Sequence, residues 1–208
     1  MSKTLLLLIF ILFSCQEKTF IKIDKESLKT QLDSIQQLDQ KYRRMLGDTI
    51  RKYGRESSQT QMLWEKQSKL DSMNLIAVLN ILDNLKVYPG DSLVGYPTNK
   101  AAFFVLQHAP DSVQEKYLPL ILNAAENRQL DSDLAAMYHG RYLMRKGLPQ
   151  IYGSQIRIKK ITDSLTGEKS EIHQVYKIAD TAKVDSLRAA KGMIPLKEYL
   201  EMNGALNN

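Results

Sequence analysis

Between Asp24 and Gly147 apolar residues recur every three or four positions, a spacing that restricts the chain to amphipathic helices packed on one another. Leu28, Leu32, Ile35, Leu38, Tyr42, Met45 and Ile50 form the first series, which predicts a helix from Asp24 to a glycine stop at Gly54. Ser57 or Ser58 can cap a second helix, whose broad apolar face runs from Leu63 and Trp64 to Leu85. Two long helices joined by a short turn predict an antiparallel pair. Neither segment keeps a strict heptad for long, which argues against a coiled-coil dimer.

Val87 to Thr98 reads as a loop, because it holds Pro89, Gly90, Gly95 and Pro97. Thr98 then caps a short helix from Ala101 to Leu106, apolar nearly all round and therefore expected to be buried on several sides. Pro110, Asp111 and Ser112 open the next helix, in which Pro119 predicts a kink or a restart. Asp131 or Ser132 begins another, carrying Leu134, Met137, Tyr138, Arg141 and Leu143 up to Gly147.

At Gly147 the pattern changes. Gly147 to Gln155 reads Gly-Leu-Pro-Gln-Ile-Tyr-Gly-Ser-Gln, too polar for a core and too specific for a linker. It is a shaped loop at the junction of helices and hairpin, expected to face His108. Ile156 and Ile158 begin a strand alternation, Asp163 to Gly167 reads as a turn, and Ile172 to Ile178 as the return strand. Short helices follow at Val184 to Lys191, closed by Gly192, and at Leu196 to Met202 after Pro195. The fold class is mainly α, a single helical domain over 24–208 of about six or seven helices with a small C-terminal β-hairpin.

The first residues make a different unit. Met1 to Lys3 give a positive start, Leu5 to Phe13 are nine consecutive apolar residues, and Ser14-Cys15 follow. Nine residues are too few for a membrane-spanning helix. Leu12-Phe13-Ser14-Cys15 looks like a bacterial lipobox, so residues 1–14 read as a lipoprotein signal peptide and Cys15 as the acylated first residue, a palmitate-type attachment. Residues 16–23 form a short tether. Gln16-Glu17 suits outer-membrane sorting, on the periplasmic or surface face. Cys15 is the only cysteine, so an intrachain disulfide and a thiolate metal cluster are both excluded.

The formal charge is +6, but its basic residues are scattered as small pairs such as Arg43/Arg44 and Lys159/Lys160, without the dense stripe that nucleic acid requires. His108, His139 and His173 are far apart in sequence, and no Gly-rich loop precedes a Lys-Ser/Thr pair. No metal and no cofactor is expected. The partners expected are a membrane, through the acyl chains, and a ligand or another envelope protein.

Several segments together resemble a bacterial family of unknown function. They are Val94-Gly95, Gln107-His108-Ala109, Leu118-Pro119-Leu120, Arg141, the Gly147 to Gln155 loop, Val184 to Arg188, and Pro195-Leu196 with Tyr199-Leu200. Asp39, Gln40 and Arg43, with Asp71 and Asn74, extend the likeness to the first two helices. The chain departs from the family pattern where Gly-Trp-Pro becomes Val87-Tyr88-Pro89 and where an Asp-Arg pair becomes Gly140-Arg141. The resemblance implies a grouping and brings no activity.

His108 is the candidate catalytic residue, since imidazole exchanges protons near neutral pH; Tyr152 and Gln155 would orient a substrate. The competing reading is a structural histidine bonded to the loop backbone. Asp39 with Arg43, and Asp71 with Asn74, each share a helix face and can form a polar cleft with Arg141 that holds an anion or carboxylate, or they are ordinary surface ion pairs. Gln107 and Gln150 complete the candidate ligand contacts. The leading expectation is a membrane-anchored envelope lipoprotein that binds a ligand or protein; the alternative is a His108-dependent hydrolase or transferase on an envelope substrate. Mass spectrometry of the mature protein is expected to show a chain that begins at acylated Cys15, and retention of Met1 would remove the lipoprotein reading.

Overall fold

The structure, a computed structural model, describes residues 24–205 except 163, 165 and 168. Cys15, with the signal-peptide and tether readings, lies outside the described residues. Among these residues no helix is long and apolar enough to cross a membrane.

The first helical series is present but divided, into α1 (Lys25–Gln40) and α2 (Arg43–Tyr53). Asp24 caps α1 by accepting from the Ser27 backbone N–H. The division has a tertiary cause: the Tyr42 backbone N–H donates to the side chain of Gln67, 3.1 Å away, instead of to a carbonyl one turn back. α2 stops at Gly54, whose φ is 88°. Ser57 then caps α3 (Ser58–Leu85) through the Thr60 N–H. α3 runs antiparallel to the first two helices, because Gly54, Tyr42 and Ile35 meet Thr60, Gln67 and Asn74 in reverse order.

After α4 (Asp91–Val94) and a 3-10 turn at Thr98–Lys100 come α5 (Ala101–Leu106), α6 (Asp111–Glu126) and α7 (Ser132–Arg145). α5 is the hub of the core, with Ala101, Ala102, Phe103 and Leu106 at 1% exposure or less, packed among α1, α3 and α6. Burying one side chain such as Phe103 contributes about 1.5–3 kcal/mol. Tyr88, where the resembling pattern has Trp, is buried and donates to the Asn99 carbonyl at 2.6 Å. Pro119 neither restarts nor ends α6. Its missing N–H deprives the carbonyl of Glu115, which lies on the exposed face where water can replace the lost donor.

The mainly helical fold with a C-terminal hairpin matches the expectation. β1 (Ile156–Thr162) pairs antiparallel with β2 (Lys169–Val175), from Ile156 opposite Val175 to Thr162 opposite Lys169. The return strand ends at Val175, short of the expected Ile178, because Lys177 and Ala179 bond to the backbone of Gln150. α8 (Val184–Ala189) and α9 (Leu196–Met202) close the chain.

Gly153 makes the contact between loop and α9 compact. Its φ is 62°, and a Cβ there would lie 2.6 Å from Leu196 Cδ1 and 3.0 Å from Ile178 Cδ1. Gly147 has a similar φ of 73° but open space around it. Gly147→Ala is expected to lose about 1–2 kcal/mol from backbone strain alone. For Gly153→Ala the added overpacking raises the loss by a further ~1–3 kcal/mol. Thermal unfolding of the two variants checks this, and equal losses would remove the packing role of Gly153.

Candidate functional site

A pocket of about 240 Å³ opens between α1, α3 and the turn after α5, with Asp39, Ser68, Asp71, Leu75, Val105 and His108 in its walls. Asp39 stands in the last turn of α1 and Arg43 at the start of α2, so the turn between them keeps Arg43 Nε 3.6 Å from Asp39 Oδ2. Arg43 Nη2 donates to Asp71 Oδ1 on α3 at 2.7 Å, and Gln67 Nε2 donates to the same oxygen at 2.7 Å. One guanidinium therefore lies between two carboxylates from different helices. Asp39 is only 1% exposed. Gln40 Nε2 donates to its Oδ2 at 2.7 Å, and no hydrogen bond among the described residues uses Oδ1. Burial raises the Asp39 pKa above the usual carboxylate value, against the opposing pull of Arg43.

His108 enters from the other wall. The carbonyls on either side of it are pinned: that of Gln107 accepts from Gln114 Nε2 at 2.8 Å and Arg141 Nη1 at 3.2 Å, and that of Ala109 from Gln114 Nε2 at 3.0 Å and Arg145 Nη1 at 2.9 Å. These donors satisfy backbone acceptors left open where α5 ends. The His108 ring is left exposed at the pocket, with no hydrogen bond among the described residues. Crowding by the surrounding protein lowers its pKa, and the positive charges of Arg43, Arg141 and Arg145 push it further the same way. Because the ring still meets water, screening tempers that depression, but its direction leaves the imidazole neutral at pH 7.

The three arginines differ in their pairing. Arg43 has Asp39 and Asp71, and Arg145 holds Asp111 at 2.8 Å. Arg141 is half-buried and forms no ion pair among the described residues. Burial lowers its pKa, yet a guanidinium stays charged across the physiological range.

The remaining sequence candidates lie elsewhere. Asn74 is buried and donates to the Ile35 carbonyl at 3.3 Å, fastening α3 to α1. Gln150 is fully buried; its Nε2 donates to the carbonyls of Gln155 and Tyr176, and its Oε1 accepts from the Gln155 N–H. Gln155 is buried too, with Nε2 on the Met137 carbonyl at 3.2 Å. Tyr152 is half-buried, and its carbonyl accepts from Arg188 Nη1 at 2.6 Å. None of Gln150, Tyr152 or Gln155 lines the pocket with His108. The loop instead seats on α7 at Gly140, where a Cβ would come 2.4 Å from Ser154 Oγ. That contact gives a physical reason for glycine beside Arg141.

Gln67, Gln114, Arg145 and Arg188 were missed by sequence reasoning. Helical spacing carries a signal for two of them, since Gln67 is one turn before Asp71 and Arg145 one turn after Arg141. Among the described residues no three His, Cys, Asp or Glu side chains are grouped to hold a metal ion.

The profile of the family described as "Family of unknown function (DUF6624)" matches residues 27–206. No curated protein and no solved structure matches the chain.

The lowered His108 pKa has a definite sign in stability. Below the ordinary value of 6.5 the unfolded chain takes up a proton that the native ring resists, so stability falls as pH drops below 6.5 toward the native pKa. His139, also lowered by burial, acts in the same direction, whereas the raised Asp39 disfavours the fold as pH climbs above 3.8. His108→Gln removes one of these contributions. Chemical denaturation at about pH 7 and about pH 5 is expected to show a smaller loss of stability in the variant than in wild type, and parallel losses would mean that His108 titrates normally.

Proposed function

Since the chain belongs to the DUF6624 family of unknown function, we propose a function from its own residues: it is a small-ligand-binding module, held at the cell envelope by acyl chains on Cys15, with the Asp39–Asp71–His108 pocket as its site. One observation carries the reading. The pocket presents an almost buried carboxylate beside an imidazole, and no hydrogen bond among the described residues uses Asp39 Oδ1 or the His108 ring. Both groups open on the pocket, where a bound ligand can reach them. The envelope location rests on the N-terminal pattern, with Gln16-Glu17 favouring the outer membrane.

Binding is favoured over catalysis by His108 itself. Among the described residues no carboxylate bonds to its ring to orient it, and burial together with three nearby cations makes it a weaker base than an ordinary histidine. A hydrolase or transferase that used His108 would need both deficits repaired by its substrate.

Screening the full-length lipoprotein in detergent against small polar compounds is expected to yield ligands whose affinity falls at least ~10-fold, about 1.4 kcal/mol, in both Asp39→Asn and His108→Gln. Undiminished affinity in both variants would place the site elsewhere. Turnover of a bound compound that vanishes in His108→Ala at matched stability would favour the enzyme reading.

A further inference from the structure

We infer that the ligand is a small zwitterion of amino-acid type, its ammonium against Asp39 and Asp71 and its carboxylate on Arg141. The inference rests on the proposed pocket being the binding site. On the α1/α3 wall two carboxylates, Asp39 and Asp71, share one guanidinium, Arg43, which leaves one negative charge unmatched. On α7 Arg145 is neutralised by Asp111, and among the described residues Arg141 bonds to the Gln107 carbonyl alone. One positive charge is unmatched there. His108 lines the pocket with Asp39 and Asp71, and Arg141, outside that lining, bonds to the carbonyl of the preceding Gln107 and lies close enough for its charge to act on the His108 ring.

Each end has the groups its partner needs. Asp39 is 1% exposed, lines the pocket, and has an Oδ1 that no described hydrogen bond uses. Asp71 is bound through Oδ1, and no hydrogen bond among the described residues uses its Oδ2. These are acceptors, and an ammonium brings three donors. Arg141 spends Nη1 on one carbonyl, and its remaining N–H groups suit a carboxylate. Leu75 and Val105 add an apolar wall, suited to a short aliphatic side chain. At about 240 Å³ the pocket lies below the ~300–1,000 Å³ of sites for drug-sized ligands, which restricts the occupant to roughly one or two residues.

The test uses the full-length chain in detergent micelles, with L-alanine and L-alanyl-L-alanine as probes beside their N-acetyl and C-terminal amide forms. Calorimetry gives affinity, and the His108 ring signals in NMR report entry to the pocket. At least one free form is expected to bind and shift the His108 signals, and blocking either end is expected to weaken it at least ~10-fold. Asp39→Asn should erase the penalty for N-acetylation, and Arg141→Gln the penalty for amidation, each without erasing the other. Should Asp39→Asn fail to fold, Asp71→Asn tests the same end. Blocked forms that bind as tightly as the free ones, or free forms that leave His108 unshifted, overturn the inference. If in that case another screened compound still loses affinity in Asp39→Asn and His108→Gln, the pocket stands and only the zwitterion falls. If free forms bind equally well to wild type, Asp39→Asn and His108→Gln, the pocket reading falls as well.

Discussion

The buried amide of Gln150 is the contact on which the C-terminal third of the molecule depends. All of its polar atoms are used, two donors on the carbonyls of Gln155 and Tyr176 and one acceptor on the Gln155 N–H. Its backbone meanwhile pairs with Lys177 and Ala179. A loop rich in polar groups can be buried at little cost only when every group is matched, and here the matching also defines the shape. Arg188 adds to the fastening, although its buried Nη2 has no hydrogen-bond partner among the described residues. Its fully buried guanidinium donates to the carbonyls of Tyr152 and Ile194 and lies 4.9 Å from the centre of the Tyr199 ring, whose hydroxyl donates to the Ser154 carbonyl. Carbonyl dipoles and a ring face stand in for the missing carboxylate.

From this fastening the order of the site follows step by step. Gln155 bonds to the Met137 carbonyl on α7, and the loop lies against α7 at Gly140. The next turns of α7 carry Arg141 and Arg145, which hold the two carbonyls on either side of His108. The loop thus bears on His108 through a helix and does not touch the pocket. This relation connects the Gln-His-Ala segment structurally to the distant Tyr-Gly-Ser-Gln segment, although only the first lines the cavity.

The pocket itself joins two kinds of packing. One wall belongs to helices held by apolar contacts around α5, and the other to side chains that end α5 through hydrogen bonds. Arg43, between Asp39 and Asp71, ties the three N-terminal helices at the level of His108. The ring is then placed without a hydrogen bond among the described residues, so its chemistry is set by burial and nearby charge. Burial first, and then the three guanidiniums, lower its pKa and leave the imidazole neutral and weakly basic.

Periodicity, caps and breakers in the sequence determined the helices, their antiparallel order, the burial of α5 and the existence of the hairpin, because each of these follows from residues near one another in the chain. Asp39, Arg43 and Asp71 were legible as candidates for the same reason, since spacing along a helix shows which polar groups share a face, and His108 through the proton chemistry of its imidazole. Tertiary structure alone decided the rest. The break at Tyr42 needs Gln67 from another helix, the early end of β2 needs Gln150, and the tolerance of Pro119 needs Glu115 to face water. Glutamine reads alike whether its amide will grip a ligand or the backbone, so Gln150 and Gln155 became internal fasteners only when the chain supplied their partners. Arg141 was partly legible, since Gly140 replaces the acid beside it, but only the tertiary structure shows that among the described residues it forms no ion pair while Arg43 and Arg145 do.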